Sequence, residues 1–380
     1  MLGTPVGVEG FYQEILNDNY KVISKLGADE IQAFANLLKV SKNPDALKLL
    51  AVICECDDSP MVNNQTEVAR CLLLHDRDLV YHTRVAQQGE LQVSTNGAKS
   101  WTSLRAFASS GKSVKGGKSG VEYKFFQAQL DLYAKLCLGR NEETIELLTT
   151  KLQLMDVKQC LAGIEDKTLP RSLRVKYINL LIHLFLDVGN AVDRLSEIQL
   201  TFAWDKIGAD ADVVGTDDQS WCAKLTGRVI EFLAGSHALV CEEKSQNLLV
   251  EANLRLLHFL ISFGYCRSPS RIERAAEAVI AIADGRHDVP NKVTPTWQGE
   301  ARFERGETNN TVMDVKFQAL RVLESLLNFI AGTHLEHFLR DFQRVRLLHA
   351  GFTLKTGSVC FGLLRANSKV NSWQGCDRGG

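Results

Sequence analysis

Apolar residues recur every three or four positions through most of the chain, the spacing that puts them on one face of an α-helix. The pattern is strongest between Tyr123 and Asp187. The apolar positions of its first helix are Phe126, Leu130, Tyr133 and Leu136. Gly139 follows as a helix stop, and Pro170 suits the first turn of a second helix. The pattern therefore predicts two amphipathic helices, with a weaker helical pair between them from Asn141 to Gly163.

Four shorter helical patterns precede this stretch. We predict one helix from Tyr12 to Leu26, with Ile15 and Tyr20 among its inward-facing residues. The starts predicted for the next three helices are an N-cap at Asp29, the pair Asn43-Pro44, and Asn63 or Asn64. Short helices joined by tight turns are typical of stacked α-hairpins.

Residues 76–120 have a different character. The residues of 79–85 and 91–93 favour strands, and Asn96-Gly97 is a turn signal. We therefore expect a small β-hairpin inserted on a long loop. A flexible basic linker, Gly111–Gly120, is expected to follow it.

The tripeptide Gly-Lys-Ser occurs twice in this linker and invites comparison with a phosphate-binding loop. That loop needs another glycine five residues before the glycine of Gly-Lys-Ser. Ala106 and Lys112 occupy these positions, and no buried strand leads into either copy. The sequence therefore disfavours a nucleotide site here.

The helical pattern resumes after an irregular connection. The helices predicted in this part are Ser220–Cys241, Lys244–Phe263, a helix from Ser268-Pro269 to Asp284, Thr311–Ala331 and His334–His349. The last residues are glycine-rich and weakly patterned, and we expect them to be poorly ordered.

Helical pairs that recur roughly every 35–45 residues are typical of stacked-repeat folds. We therefore predict an all-α fold, an armadillo-like α-solenoid of antiparallel helix pairs with a small inserted β-hairpin and loop region. In this prediction, residues 1–75 form the first pairs and 76–120 the insertion. Residues 121–190 form the central helices, 191–350 a second helical segment and 351–380 the disordered tail.

Charge and composition narrow the range of partners. The chain has 44 Lys and Arg against 45 Asp and Glu, a net charge of −1, which argues against nucleic acid as a partner. No run approaches the ~20 apolar residues of a membrane-spanning helix, so we expect no membrane span in this chain. The cysteines fall mostly within helical patterns, as in reduced proteins. Cys54 and Cys56 form a C-x-C without a second pair, so buried core positions are favoured over metal ligands.

No catalytic pattern stands out. His334 and His337 are three residues apart, whereas the zinc-protease helix needs histidines four apart. A nucleophile elbow of the form G-x-S-x-G is also absent from the sequence. We therefore expect an interaction protein that is not an enzyme and needs no cofactor.

Four parts of the chain, in the same order, resemble the cytosolic helical region of inositol trisphosphate receptors and ryanodine receptors, known as the RIH domain. These parts are Ile15–Leu38 with Asp45–Leu73, Tyr123–Arg140 with Leu169–Asp187, Leu249–Ile282, and Val312–Phe342. Val312–Lys316 and the helix Tyr123–Arg140 are more similar to the inositol trisphosphate receptor branch.

The resemblance implies a cytosolic region that couples ligand binding to the pore of a tetrameric, ligand-gated calcium-release channel. Its partners would be other domains and subunits of that channel, at the cytoplasmic face of the endoplasmic reticulum membrane. The chain would be a fragment without the pore. The alternative is a free-standing armadillo-like scaffold, which would be soluble and cytoplasmic.

The resemblance also implies a partial ligand site at Tyr20 and Lys21. The family binds inositol trisphosphate between a β-trefoil domain and the first helical pairs, and this sequence contains no such trefoil. The Arg-Lys pair of the family matches Tyr20 and Lys21, so the lysine is kept and the arginine is replaced. Because one ammonium cannot replace a bidentate guanidinium, we expect no tight binding of inositol trisphosphate by this chain alone.

Overall fold

The computed structural model describes residues 8–74, 79–113, 117–189, 221–266, 268–289 and 310–330. The helices in these ranges are α1 (Val8–Leu16), α2 (Tyr20–Ile23), α3 (Ala28–Val40), α4 (Pro44–Val52), α5 (Val62–Ala69), α6 (Leu104–Ser113), α7 (Lys118–Leu136), α8 (Glu142–Glu146), α9 (Val157–Glu165), α10 (Arg171–Leu181), α11 (Trp221–Ala234), α12 (Lys244–Ser262), α13 (Pro269–Asp284) and α14 (310–330). The strands are β1 (Glu55–Cys56), β2 (Ser59–Pro60), β3 (His82–Val85), β4 (Leu91–Ser94) and β5 (Thr102–Ser103).

Local side-chain bonds explain where several helices begin. The backbone N–H of Asp45 donates to Asn43 Oδ1 at 3.0 Å, with Pro44 in the first turn of α4, as the sequence predicts. At α9, the backbone N–H of Gln159 donates to Asp156 Oδ1 at 2.7 Å, and the N–H of Asp156 donates to Gln159 Oε1 at 2.9 Å. This reciprocal pair is a capping box, which satisfies two backbone donors at the start of the helix.

Helix α7 lies at the centre of a series of helix contacts. It packs against α4, α5 and α6 on the N-terminal side and against α10 further along the chain. Helix α10 also packs against α9 and α12, and α11 packs against both α12 and α13. The mostly helical fold with a small inserted sheet is therefore confirmed.

The core of this series consists of large side chains from α7 and α10 and their neighbours. Phe125, Phe126, Tyr133 and Tyr177 are almost completely buried. The contact between α9 and α10 is especially close at Gly163, where an added Cβ would lie 2.3 Å from the ring of Tyr177. Glycine is needed at this point because the aromatic ring occupies the space that a methyl group would fill.

In the described ranges, three helices end in a π-helical turn, which holds one residue more than an α-helical turn. These turns are Arg70–Leu74 after α5, Leu147–Lys151 after α8 and Ile182–Leu186 after α10. The last of them contacts α12, so it forms part of the link between the central helices and those that follow.

The inserted sheet contains the predicted β-hairpin and one strand more. Strands β3 and β4 pair antiparallel, with His82 opposite Ser94 and Val85 opposite Leu91, and the short β5 pairs with the other side of β4. Helix α6 packs against this sheet and against α7. Helix α6 extends to Ser113 and α7 begins at Lys118. The segment between these two helices is therefore shorter than the predicted flexible linker Gly111–Gly120.

The outer edge of β3 is covered by side-chain amides from two helices. Gln129 of α7 accepts from the backbone N–H of Tyr81 at 2.7 Å and donates to the carbonyl of the same residue at 2.8 Å. Gln159 of α9 donates to the carbonyl of Thr83 at 2.7 Å. These bonds join the sheet to α7 and α9.

The first helix was predicted to be continuous from Tyr12 to Leu26, and this prediction was wrong. The segment Tyr12–Leu26 contains α1 and α2, separated where Asp18 adopts the left-handed conformation with a φ of 51°. The change of direction leaves Ile15 40% exposed and Tyr20 63% exposed, although both were expected to face inward. A short polar side chain tolerates this conformation better than most, which is why Asp18 can occupy the break.

Two predicted helix starts were also wrong. The N-cap of α3 is Gly27 rather than Asp29, which lies in the first turn, and Glu30 Oε2 accepts from the backbone N–H of Gly27 at 3.0 Å. Helix α5 begins at Val62 and not at Asn63 or Asn64. Asn64 is instead a buried residue inside the helix. A residue type that often caps helices, placed just before an apolar pattern, was not enough to locate the start of either helix.

Some expectations lie outside the described residues. They include the connection after residue 190, the helix His334–His349 and the C-terminal tail. Residues up to Leu327 form one compact unit, and only 328–330 of the second unit are described. The predicted domain boundaries therefore remain predictions. Across the described residues, every helix is too short or too polar to traverse a lipid bilayer.

Candidate functional site

Tyr20 and Lys21 lie next to each other on the single exposed turn that makes up α2. The side chain of Tyr20 is 63% exposed, and Lys21 is exposed as well. Lys21 has no ion-pair partner among the described residues of the chain. The structure thus offers one exposed ammonium group at the position where the sequence predicts a phosphate contact.

Buried bonds to the end of α2 hold this turn in place. Ile23 is fully buried. Asn64 of α5 donates from Nδ2 to the carbonyl of Ile23 at 3.2 Å and to the carbonyl of Ile53 at 2.9 Å. One amide therefore ties the ends of α2 and α4 to α5, so the position of Lys21 depends on the packing of α5.

A second amide extends this junction to α7. Gln65 is fully buried, and its Nε2 donates to the carbonyls of Lys135 at 2.9 Å and Leu138 at 3.1 Å. Its Oε1 accepts from Asn141 Nδ2 at 3.1 Å. We call Asn64, Gln65 and Asn141 the amide junction. Periodicity did not reveal it, because a polar residue on the buried face weakens the apolar pattern that is being sought.

An acidic pocket lies beside α2, on the side of the β1–β2 hairpin. The backbone N–H of Asp57 donates to Asp18 Oδ1 at 2.9 Å. The residues that line this open pocket of about 230 Å³ are Asn17, Asp18, Val52, Glu55, Asp57, Asp58 and Lys135. Lys135 is paired with Glu55 at 2.8 Å. Because the remaining carboxylates repel negative charge, the pocket itself is unsuited to a phosphate group.

Cys56 shows the effect of this acidic environment. Cys56 is buried at the end of β1. Burial is the largest cause that raises the pKa of Cys56, and the carboxylates of Asp57 and Asp18 raise it further. The thiol therefore stays protonated near neutral pH and is not a reactive nucleophile.

The other described cysteines are free and buried as well, which fits the expected core positions of Cys54 and Cys56. Burial raises the pKa of Cys137 to about 12 and that of Cys266 to about 11. Within the described parts of the chain, no group of three or more His, Cys, Asp or Glu side chains is arranged to hold a metal ion.

Helix α14 has apolar side chains on two faces. Val315, Val322 and Leu326 are buried. Met313, Phe317, Leu320 and Leu327 are each more than half exposed on the opposite face. Their spacing of four, three and seven residues follows one helix face. The apolar spacing of this helix predicts a single buried face that includes Leu320 and Leu327 with Val315 and Leu326, and the exposure of Leu320 and Leu327 corrects that prediction.

The described residues form a mostly helical protein of packed helices with a small inserted sheet. Near its N-terminal end, the exposed turn α2 carries the cationic side chain of Lys21. Comparison with known proteins finds a family match for the N-terminal part of the chain. Residues 8–85, from α1 to the end of β3, match the family model described as the RIH domain.

A relative from Dictyostelium discoideum is named inositol 1,4,5-trisphosphate receptor-like protein A. It is 33% identical to this chain over 184 residues, which make up 48% of the chain and 5% of the relative. The family-model match and this relative support the resemblance of the helices to the family of inositol trisphosphate and ryanodine receptors. The aligned part is thus a small fraction of the relative's length.

Proposed function

We propose that this chain is a cytosolic coupling region of an intracellular ligand-gated calcium-release channel, at the endoplasmic reticulum membrane. The observation that carries the proposal is the unbroken series of contacts from α4 to α7, α10 and α12. A movement of the first helices cannot be absorbed in a loop along this route, because each helix packs directly on the next.

The proposed mechanism is a rigid-body movement passed from helix to helix. A ligand that closes against α2 displaces the amide junction, and α7 moves with it through the bonds of Gln65. Helix α10 then passes the displacement to α12 and the helices beyond it. Packed helices change between discrete arrangements, so a small shift at one end can be transmitted over the whole stack.

The first test concerns the length of the native gene product. Sequencing of the native transcript outward from both ends should reveal a trefoil-coding region upstream and membrane helices downstream. Stop codons that bound the 380 residues would contradict the proposal. In that case the exposed face of α14 would favour a free-standing helical scaffold.

The second test separates coupling from binding in the native gene product. Leu257 is fully buried in α12, whereas Leu248 on the same helix is 43% exposed. We expect Leu257→Ala to reduce ligand-evoked calcium release from endoplasmic reticulum vesicles while radioligand binding is retained. Leu248→Ala is the matched control and should leave both unchanged. Equal calcium release from both variants, with Leu257→Ala correctly folded by its melting curve, would exclude this route.

The third test addresses Tyr20 and Lys21 as partial phosphate contacts. Tyr20→Arg in the native gene product restores a guanidinium beside Lys21. We expect the affinity for inositol trisphosphate to rise about tenfold, since a charge-assisted hydrogen bond contributes roughly 1.5 kcal/mol. Tyr20→Lys adds the charge without the bidentate geometry and should give a smaller gain. An affinity unchanged by both substitutions would remove this turn from the ligand site.

A further inference from the structure

Histidines lie at the contacts of helix α12 with the end of α10 and with α14. His183 lies in the π-helical turn after α10, which packs against α12. His258 belongs to α12 itself and faces α14. Both contacts of α12 therefore include an imidazole.

A second proton on the imidazole of His183, at Nδ1, would have no hydrogen-bond acceptor among the described residues. Its Nδ1 atom is buried and has no hydrogen-bond partner among the described residues. A proton added there would create a buried N–H donor without an acceptor, on a ring that has become charged. An unpaired buried donor is costly, and a charged one more so.

The charged groups around His183 do not offset this cost. Arg255 of α12 faces the ring and is paired with Glu251. Asp187, one turn along from His183, attracts a proton, but its Oδ1 already accepts from Arg140 Nε at 2.7 Å. The effect of burial on the pKa of His183 outweighs the opposing attraction of Asp187, and the repulsion of Arg255 makes a smaller contribution.

His258 differs from His183 in that its Nδ1 has a partner on α14. Its Nδ1 lies 2.7 Å from Ser325 Oγ, and Ser325 in turn donates to the carbonyl of Arg321 at 3.0 Å. Ser325 therefore accepts from Nδ1–H, and the imidazole can be neutral in this arrangement. The guanidinium of Arg321 opposes a positive charge on the ring, while Glu324 favours it.

We propose that α12 is an acid-sensitive joint of the helical stack, in which protons taken up at His183 and His258 loosen its contacts with α10 and α14.

The direction of the pH dependence follows from the two imidazoles. Burial lowers the pKa of His183 from 6.5 to about 4 against the opposing attraction of Asp187, with a smaller contribution from Arg255. Burial and Arg321 lower the pKa of His258 as well. Because the opened form binds protons more readily than the packed form, the contacts are strongest above pH 6.5. They weaken as the pH falls from there toward 4.

Hydrogen exchange of the full chain between pH 7 and pH 5 tests the proposal. After correction for the intrinsic rate, opening of α12 should become about 20-fold more frequent through His183 alone. Peptides from α4 and α7 in the same samples serve as the internal reference. In the double variant His183→Gln and His258→Gln, the selective effect on α12 should disappear. His237→Gln, which changes an exposed histidine, should behave as the unchanged chain.

A second variant keeps the test decisive if the double variant folds poorly. Arg255→Gln removes the guanidinium that opposes protonation of His183, so it should reduce the acid effect on α12 slightly, because burial is the larger influence. The proposal is overturned if acid accelerates exchange equally in α4, α7 and α12. It is also overturned if the double variant, folded by its melting curve, keeps the full acid effect.

Discussion

The junction of α5 with α7 and the junction of α10 with α12 both bury polar side chains, but they satisfy them differently. In the amide junction, Gln65 bonds to backbone carbonyls and to Asn141. At the second junction, Asn179 Oδ1 and His183 Nδ1 are buried without a partner in the described residues. Buried polar groups stabilise a contact when they are paired and weaken it when they are not. We therefore expect the first junction to be rigid and the second to open more easily.

The largest effect is expected from Gln65→Leu. The substitution leaves the carbonyls of Lys135 and Leu138 buried without this donor, and it deprives Asn141 of an acceptor. We expect the free energy of unfolding to fall by about 3 kcal/mol, measured by urea denaturation. Gln32→Leu is the control, because the amide of Gln32 bonds to Asn36 at an exposed site. Similar losses in both variants would show that the amide junction has no special role.

A pair of glycines compares the tightness of packing in the two parts of the stack. Gly163→Ala in α9 forces a methyl group against the ring of Tyr177, so we expect a loss of about 1–3 kcal/mol. Gly227→Ala in α11 meets no atom within 4 Å and should instead stabilise the protein by about 0.5–1 kcal/mol. Thermal melting of both variants measures the difference. Changes of the same sign would contradict the close contact of α9 with α10.

A smaller effect is expected from Asn179→Leu at the second junction. The substitution removes a buried oxygen that has no partner, so stability should change by less than about 1 kcal/mol in either direction. Asn141→Leu, which removes a paired amide, should cost clearly more. A loss from Asn179→Leu as large as that from Asn141→Leu would show that the oxygen of Asn179 is bonded in solution.

The smallest effect is expected from Arg70→Gln. Arg70 joins the turn after α5 to Glu143 of α8 at 2.9 Å, but both side chains are about half exposed. Exposed ion pairs are weakened by water and salt, so we expect no measurable change in the midpoint of urea denaturation. A clear shift of this midpoint that vanishes in 1 M salt would show that the pair of Arg70 and Glu143 stabilises the first junction.

The sequence predicted the long helices better than the joints between them. Helices α7, α10, α12 and α13 have regular apolar faces, and each was expected close to where it lies. The break at Asp18 was missed, because the apolar spacing continues across it while the backbone turns. Helix α6 was missed because its small and polar residues resemble those of a linker.

The sequence predicted the positions of Tyr20 and Lys21 but not the acidic pocket beside them, because distant residues form that pocket. The positions of Tyr20 and Lys21 came from resemblance, and the structure describes both as exposed. The acidic pocket beside them is formed by Asp18 and by Asp57 and Asp58, which are about forty residues away in sequence. No local pattern relates such distant residues. Likewise, no pattern distinguishes the paired amide of Gln65 from the unpaired one of Asn179.

The covered edge of β3 has a consequence for the behaviour of the protein at high concentration. An uncovered edge strand offers backbone donors and acceptors to the strands of other molecules, a common route to aggregation. In this protein Gln129 and Gln159 already occupy the N–H and carbonyl of Tyr81 and the carbonyl of Thr83. A strand from another molecule therefore finds these three groups of the β3 edge already bonded, and it could pair with them only if α7 and α9 moved away.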